Sequence, residues 1–403
     1  MLIFSFSNER EVEKVMRDIG VDPYGIKIML PKTTTFLIRL SSISNIAANI
    51  LKQEMLSLGG DAAVSRGALT GKTKKTGCLI IAQSSQLYSL VNKLKLQPFG
   101  LQKLADELDK NIKKYTRGGF ILPLRKGVLN FGAKTYIMGA MNLTPDSFSG
   151  DGLYSIKSSD YPALALEKAE KMLKNGADII DLGGESSRPG ARSISVKEEL
   201  RRVLPVLRKL AKNIAAPISI DTTKAEVAKA ALESGAQIVN DIAGLRDKRM
   251  ARVAAKYKAA VVIMHMPGRP SNMQKMTAYK SLIDDIIVWL NNAVESAERA
   301  GIQSDKIIID PGIGFGKTPG QNLEIIKRLA DFKILGKPML IGPCRKSFIG
   351  KVLKAVPQKR CIGTVAACLL AAERGANIVR VHDVKEVSQA LKMSAAIRNN
   401  ANA

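Results

Sequence analysis

The sequence predicts an α/β chain, a (β/α)8 TIM-type barrel with an N-terminal hairpin, preceded by a small α+β domain. Three observations carry this reading. Eight short apolar runs, each followed by a helical pattern, fill about 270 residues, which is the count and size of a closed barrel. Every run ends in a polar or ionisable residue. The 403 residues exceed the ~250 of one barrel, which leaves residues 1–115 as a separate domain and 116–403 as the barrel.

Within 1–115, residues 35–40 (TFLIRL), 61–66 and 78–82 read as strands, and 44–58, 87–96 and 101–115 as amphipathic helices. Gly59-Gly60 supplies a helix stop. Asp61 and Arg66 lie near Gly-rich turns without a catalytic constellation around them, as in a solvated loop, and this part of the sequence does not state its task. Residues 118–132 alternate around Lys126-Gly127 and predict the hairpin.

The barrel strands begin at Tyr136, Ala177, Pro217, Gln237, Ala259, Lys306, Pro338 and Asn377. Helical spacing follows at 162–175, 196–213, 224–234, 247–257, 279–300, 321–331, 360–374 and 384–399. Three helices run into a Gly-Ala that opens the next strand, at Gly176, Gly235 and Gly375. No GxGxxG follows the first strand, and eight near-equal units favour closure over the alternative of a doubly wound open sheet.

Composition narrows the function classes. Net charge is +26, with 20 basic and 10 acidic residues in 1–130 against 42 and 26 in the remainder, so the excess is spread and forms no basic arm. No aromatic-interleaved basic patch accompanies it, so nucleic acid is not the expected partner; an anionic small-molecule substrate, or simply a basic proteome, explains the charge as well. The apolar runs are far shorter than the ~18 residues of a membrane span. The N-terminus has no basic n-region and turns acidic within nine residues. Four cysteines (Cys78, Cys344, Cys361, Cys368) show neither CxxC nor zinc-finger spacing. Reduced thiols in a cytoplasmic protein are therefore expected.

In such barrels the site is built at the C-terminal ends of the strands. In order, these ends carry Asn142; Asp181 with Glu185 and Arg188; Asp221; Asn240-Asp241; His265; Asp310; Arg345-Lys346-Ser347; and Arg380-His382. Any one Asp or Asn there has a second reading as an N-cap or Asx turn, and Arg345-Lys346-Ser347 as a basic surface turn. Eight polar ends out of eight exceed what capping explains. Asp221, Asn240 and Asp310 can accept hydrogen bonds from a flat heterocycle with several N–H donors. Lys346, Arg380 and His382, with a helix start, can hold phosphate. No zinc-ligand cluster and no Ser-His-Asp order is present.

The strings MGAMNLTPDSFSGDG (138–152), GADIIDLGGESSRPGA (176–191), ISIDTTKAEV (218–227), VNDIAG (239–244), MHMPGRPSNMQ (264–274), IIIDPGIGFGKT (307–318), GPCRKSFIG (342–350) and RVHDV (380–384) resemble those of the dihydropteroate synthases. The resemblance is collinear from residue 118 onward and leaves 1–115 as an extension that shorter family members lack. It implies that the amine of p-aminobenzoate displaces pyrophosphate from 6-hydroxymethyl-7,8-dihydropterin diphosphate. By motif, Asp310 and Asn240 would bind the pterin edge, Asp221 would stabilise its cation, and Lys346 would hold its carbonyl. Met264 and the plane of Arg380 would wall the ring. Arg380, His382 and Asn142 would receive the diphosphate, with Asn142 also contacting Mg²⁺. Phe148, Ser187, Arg188, Pro189, Phe315 and Ser347 would surround p-aminobenzoate. A homodimer is the family expectation.

An aromatic amine is already neutral near pH 7, so the implied reaction needs stabilisation of the departing diphosphate and of a pterin cation more than a strong base. Ser187, Cys344 and Pro267 depart from the family's usual threonine, serine and glutamine, which keeps a modified aryl amine open as an alternative. A pterin-dependent methyltransferase is the rival enzyme, with no need for Arg380-His382 or SSRPG. A silent barrel serving as a scaffold or nucleic-acid binder is the non-enzymatic rival, opposed by the intact Asn142, Arg188, Lys346 and Arg380.

Overall fold

The computed structural model describes residues 1, 9–144, 160–186 and 193–399. Two compact units divide the chain, Met1–Lys114 and Tyr115–Asn402.

The first unit opens with α1 (Glu9–Asp18) and α2 (Pro23–Met29), neither of which the sequence reading contains. The α1 segment EREVEKVMRD is too charged to show an apolar run. Pro23 stands at the start of α2, where its missing N–H costs nothing, and Asp22 caps the helix by accepting from Tyr24 N at 2.8 Å. Next come β1 (Thr35–Ser44), α3 (Asn45–Ser57), β2 (Asp61–Val64), α4 (Arg66–Leu69), β3 (Lys75–Gln83), α5 (Ser84–Leu94) and α6 (Leu101–Tyr115). The sheet is antiparallel in the order β1-β3-β2. Alternation along β3 turns Cys78, Ile80 and Ala82 inward against Leu51, Met55, Leu87 and Leu90. Asp61 and Arg66 are both exposed, and Arg66 begins a helix instead of ending a strand.

The second unit begins with a hairpin, β4 (Phe120–Pro123) and β5 (Val128–Phe131), in register from Phe120 opposite Phe131 to Pro123 opposite Val128. Eight parallel strands follow: β6 (Tyr136–Asn142), β7 (Ile179–Gly183), β8 (Ile218–Asp221), β9 (Ile238–Asp241), β10 (Ala260–Met264), β11 (Ile307–Asp310), β12 (Leu340–Ile341) and β13 (Ile378–Val381). Their order is β11-β10-β9-β8-β7-β6-β13-β12, and a bridge between Ile309 and Met339 closes the ring into a TIM barrel. The strands are buried on both faces, which is why they read as continuous apolar runs without alternation. β12 is only two residues long because Pro338 and Pro343, which have no N–H to donate, bracket it.

The outer ring holds α7 (Tyr161–Lys174), α8 (Val196–Asn213), α9 (Ala225–Glu233), α10 (Lys248–Lys256), α11 (Leu282–Arg299), α12 (Pro319–Lys327), α13 (Ser347–Leu353), α14 (Cys361–Glu373) and α15 (Val384–Asn399). The helix expected over 321–331 stops at Lys327, and a tighter 3₁₀ turn, Leu329–Leu335, carries the chain to a left-handed Gly336. The expected 360–374 helix is preceded by the short α13, which directly follows the Lys346 turn.

The hairpin seals the N-terminal end of the barrel. Leu122, Leu129 and Phe131 pack onto Met138, Ile179, Ile238, Ala260, Ile308, Leu340 and Ile378, residues at or near the strand starts. A sealed lower end leaves the C-terminal ends as the open face. Phe131 has no solvent exposure. Phe131→Ala should therefore destabilise the barrel by about 3–5 kcal/mol, the usual cost of emptying a buried aromatic site. Urea unfolding followed by tryptophan fluorescence checks this, and a midpoint unchanged from wild type would remove the hairpin from the core.

Candidate active site

Register aligns the functional side chains. Across parallel strands Asn142 pairs with Gly183, Gly183 with Asp221, and Asp221 with Asn240, while Met264 pairs with Asp310. One level of the barrel thus presents an amide, a gap, a carboxylate and an amide in sequence. The gap has a use: a β-carbon on Gly183 would lie 3.6 Å from both Asn142 Oδ1 and Asp221 Cβ.

Arg380 links this rim to the layer beneath. From β13 it reaches past β6, donating through Nε to Asp181 Oδ2 at 2.6 Å and through Nη2 to Asp221 Oδ2 at 2.8 Å. Asn240 Nδ2 donates to the same Asp181 oxygen at 3.2 Å. Asp181 is fully buried, and its Oδ1 has no protein partner. Burial would pull the guanidinium pKa of Arg380 down, but the two carboxylates hold it above its ordinary value. Asp221 moves the other way. Burial pushes its carboxyl up to about 7, with the Asp181 charge adding to the rise and Arg380 opposing it.

Asp310 ends β11, and its Oδ1 accepts from Gly312 N at 2.7 Å. Burial raises its pKa, against the opposing charges of Lys346, Lys317 and Arg380. The loop that follows depends on glycine: at Gly312 (φ +75°) a β-carbon would sit 1.9 Å from the His265 carbonyl oxygen. Lys346 caps α13, donates to the Ile313 carbonyl, and holds its ammonium 4.5 Å from the centre of the Phe315 ring. Burial lowers its pKa to about 8, with Asp310 resisting. Phe315 joins Ile242, Met264, Met266 and Met273 in an apolar patch beside these groups. A cavity of about 610 Å³ opens beside Asp221 and Thr222, bounded by Ile242, Arg246 and Met266, a volume typical of small-molecule sites.

Not every strand end serves the site in this way. Asp241 spends its carboxylate on its own turn, accepting from Ala243 N and Leu245 N at 2.8 Å each, the capping role weighed against it from sequence. His265 is buried edge-on to Trp289 with ring centres 5.1 Å apart, and its Nδ1 lies 3.0 Å from Lys317 Nζ. Burial, with the Lys317 charge, lowers its pKa to about 2, so it is a neutral packing group. Arg345 turns away from Lys346 to pair with Asp383. Ser347 is exposed at the first position of α13. His382 directs Nδ1 to within 3.1 Å of the Ala140 carbonyl oxygen. Phe148, Ser187, Arg188 and Pro189 lie outside the described residues.

Sequence reasoning gave no role to four charged residues. Lys317 is buried under the β11–α12 loop and donates to the carbonyls of Gly312 and Phe315 at 3.0 Å each. Burial lowers its pKa to about 7. Lys224 bridges Glu185 at 2.5 Å and the wholly buried Glu199 at 2.7 Å. Asp181 stood among the strand ends but received no role. The available signal was a charge inside an apolar stretch, IIDL for Asp181 and the inward face of α8 for Glu199, because such a charge must find a partner.

The family described as "Pterin binding enzyme" matches residues 138–382. The dihydropteroate synthase of Synechocystis sp. is 44% identical over 278 residues, covering 68% of this chain and 94% of that protein. A probable bifunctional folylpolyglutamate synthase/dihydropteroate synthase of Halobacterium salinarum is 39% identical over 387 residues, 95% of this chain. That alignment therefore reaches into the N-terminal unit, although the chain spans only 45% of the bifunctional protein. Among solved structures, Yersinia pestis dihydropteroate synthase in a sulfonamide drug complex superimposes with a TM-score of 0.66 at 40% identity, over 70% of this chain and all of that one. The strand-end site, the barrel and these relatives agree: the chain belongs to the dihydropteroate synthase family of pterin-binding enzymes.

Proposed function

We propose that the strand-end site carries out the family's transfer reaction with its own residues in the following roles. The enzyme is a transferase of folate biosynthesis that joins 6-hydroxymethyl-7,8-dihydropterin diphosphate to p-aminobenzoate, giving 7,8-dihydropteroate and pyrophosphate. The observation that carries the residue assignment is the buried Asp181–Arg380–Asp221 bridge, with Asn240, Asp310 and Lys346 arranged around it.

Asp310 offers acceptors to the pterin 2-amino group and ring N–H, with Asn240 beside it. Met264 and the Arg380 plane form the walls. Lys346, which commits one N–H to Ile313, retains donors for the pterin carbonyl. The arylamine nitrogen attacks the methylene carbon as the carbon–oxygen bond to diphosphate breaks. Diphosphate leaves with that oxygen, and the amine releases its proton to water. Positive charge developing on the pterin faces the Asp221 carboxylate, in a setting where a fixed charge acts strongly. Arg380, His382 and Asn142 receive the diphosphate. Phe148, Ser187, Arg188, Pro189, Phe315 and Ser347 hold p-aminobenzoate, the Ser347 hydroxyl facing its carboxylate. Mg²⁺ suits the Asn142 oxygen and the space beside Gly183, since this ion takes few protein ligands and completes its shell with phosphate and water. When bound, it supplies neutralisation of diphosphate charge.

A homodimer is supported by exposed apolar residues on and after α13 and on α14, namely Val352, Leu353, Val356, Ile362 and Leu370. Ile362→Lys should convert a two-chain mass in light scattering to a one-chain mass; wild type already monomeric at assay concentration would refute the dimer. A cytoplasmic location is supported by the four free cysteines. Among the described residues no helix is long and apolar enough to cross a membrane.

The pH dependence follows from Asp221. Its pKa in the folded protein is raised to about 7, so lowering the pH neutralises it and removes cation stabilisation. Turnover at saturating substrates and Mg²⁺ should climb as pH rises between roughly 6 and 8 and then level. A flat profile across that interval would contradict the role. Asp310→Asn should weaken pterin binding roughly 10- to 100-fold, because each hydrogen bond to a carboxylate contributes about 1.5–3 kcal/mol and the new amide turns an N–H toward the pterin donors. Calorimetric titration with 6-hydroxymethylpterin tests this, and an unaltered affinity would disprove the assignment.

A further inference from the structure

Three of the four cysteines lie in the α13–α15 region, and two of them border a carboxylate cluster that the proposed chemistry does not use. Cys361 is the first residue of α14; Asp383 and Glu386, three residues apart, flank the start of α15. The Cys361 sulfur, one Asp383 oxygen and one Glu386 oxygen all lie within 4.8 Å of one another. Cys344, in the turn after β12, places its Sγ 3.6 Å from Asp383 Oδ2 and 3.3 Å from the His382 amide that donates to it. Asp383 is buried, Cys361 is partly buried and Glu386 is exposed, which gives the cluster a closed floor and an open entrance.

From these residues we propose a site for a thiophilic divalent cation of the Zn²⁺ or Co²⁺ class, ligated by Cys361, Asp383 and Glu386, with solvent completing the shell on the exposed Glu386 side. Ligand atoms around a tetrahedral ion stand about 3.6 Å apart, given bonds of ~2.0–2.3 Å. The cluster therefore closes by at most about an ångström, a distance that small rotations of the Cys361 and exposed Glu386 side chains cover. The Cys361 thiol among the donors selects against Mg²⁺, a hard ion that takes oxygen, and so distinguishes this site from the one proposed at Asn142. Ligation replaces the Cys361 sulfur–hydrogen bond with a sulfur–metal bond and releases the proton to solvent. No linear motif announces the site, because its donors come from the seventh and eighth strand–helix units.

Occupancy also reaches the reaction centre. Asp383 is gripped by Arg345, whose Nε lies 3.1 and 3.0 Å from its two oxygens. Arg345 occupies a left-handed conformation (φ +51°) in the turn that presents Lys346. A cation on Asp383 repels that guanidinium, so metal binding weakens the hold on the turn. This part rests on the assignment of Lys346 to the pterin; the metal site itself does not.

The test is titration of the metal-stripped full chain with Co²⁺, followed by thiolate-to-cobalt charge-transfer absorption in the near ultraviolet. One equivalent should develop the band, Cys361→Ser should abolish it, and Glu386→Gln should weaken binding at least roughly tenfold. Both variants should retain the wild-type thermal transition and Mg²⁺-supported turnover. A band of equal intensity in Cys361→Ser, or no band in wild type, overturns the proposal. Zn²⁺ should lower the turnover of wild type and spare Cys361→Ser; equal inhibition of both would refute the link to Lys346 and leave the cobalt result to decide the site.

Discussion

The two carboxylates bridged by Arg380 set the terms for the rest of the barrel's interior. Placing Asp181 and Asp221 in a dry barrel is costly unless a cation accompanies them, and breaking such a set by removing one member typically costs about 3–5 kcal/mol. Arg380 meets this need with a planar guanidinium whose donors point to fixed positions. It joins β13 to β7 and β8 across the intervening β6, and Asn240 joins the same oxygen from β9. Four strands are thereby braced across two adjacent levels by polar contacts, where a purely apolar core would leave their relative heights to packing alone. The same brace fixes the direction of the Asp221 carboxylate.

Two buried lysines in neighbouring loops show how burial is put to different uses. Lys317 has its ammonium surrounded by backbone carbonyls and the His265 ring, so its donors hold the β11–α12 loop together from within. Lys346 reaches the same loop from the β12–α13 turn, contacting the Ile313 carbonyl and the Phe315 face. Desolvation lowers the pKa of both, to about 7 and about 8. The lysine with more protein partners is structural; the one with spare donors is the one proposed to meet the pterin.

Much of the barrel was legible in the sequence because its signals are local. An apolar run, a polar terminus, an amphipathic stretch and a Gly-Ala restart each involve only a few neighbouring residues, and together they repeat eight times. What escaped was decided over longer distances. Arg380 and Asp181 are far apart in the chain, so no spacing rule connects them. Nothing in GFGKT distinguishes a lysine buried beneath its own loop from one exposed on top of it. His265 followed the same pattern as Asp310, yet the indole of Trp289, many residues later, makes it a packing group. Asp241 was ambiguous for the opposite reason: its partners, the amides of Ala243 and Leu245, are so near that capping accounts for it. In the N-terminal unit, α1 was hidden by its charge and α2 by its brevity.

The hairpin beneath the barrel has a consequence for traffic. With Leu122, Leu129 and Phe131 filling the lower end, the described residues leave the C-terminal face as the side from which molecules reach the site. In the proposed arrangement the bicyclic substrate lies against Asp310 and Asn240 and the arylamine lies above it, so the deeper guest must arrive first. In that arrangement a premature arylamine would stand in the path of the bicyclic substrate, and the joined product would back out by the route its larger half came in. In the proposed arrangement, order of addition would thus follow from a plug at the opposite pole from the chemistry.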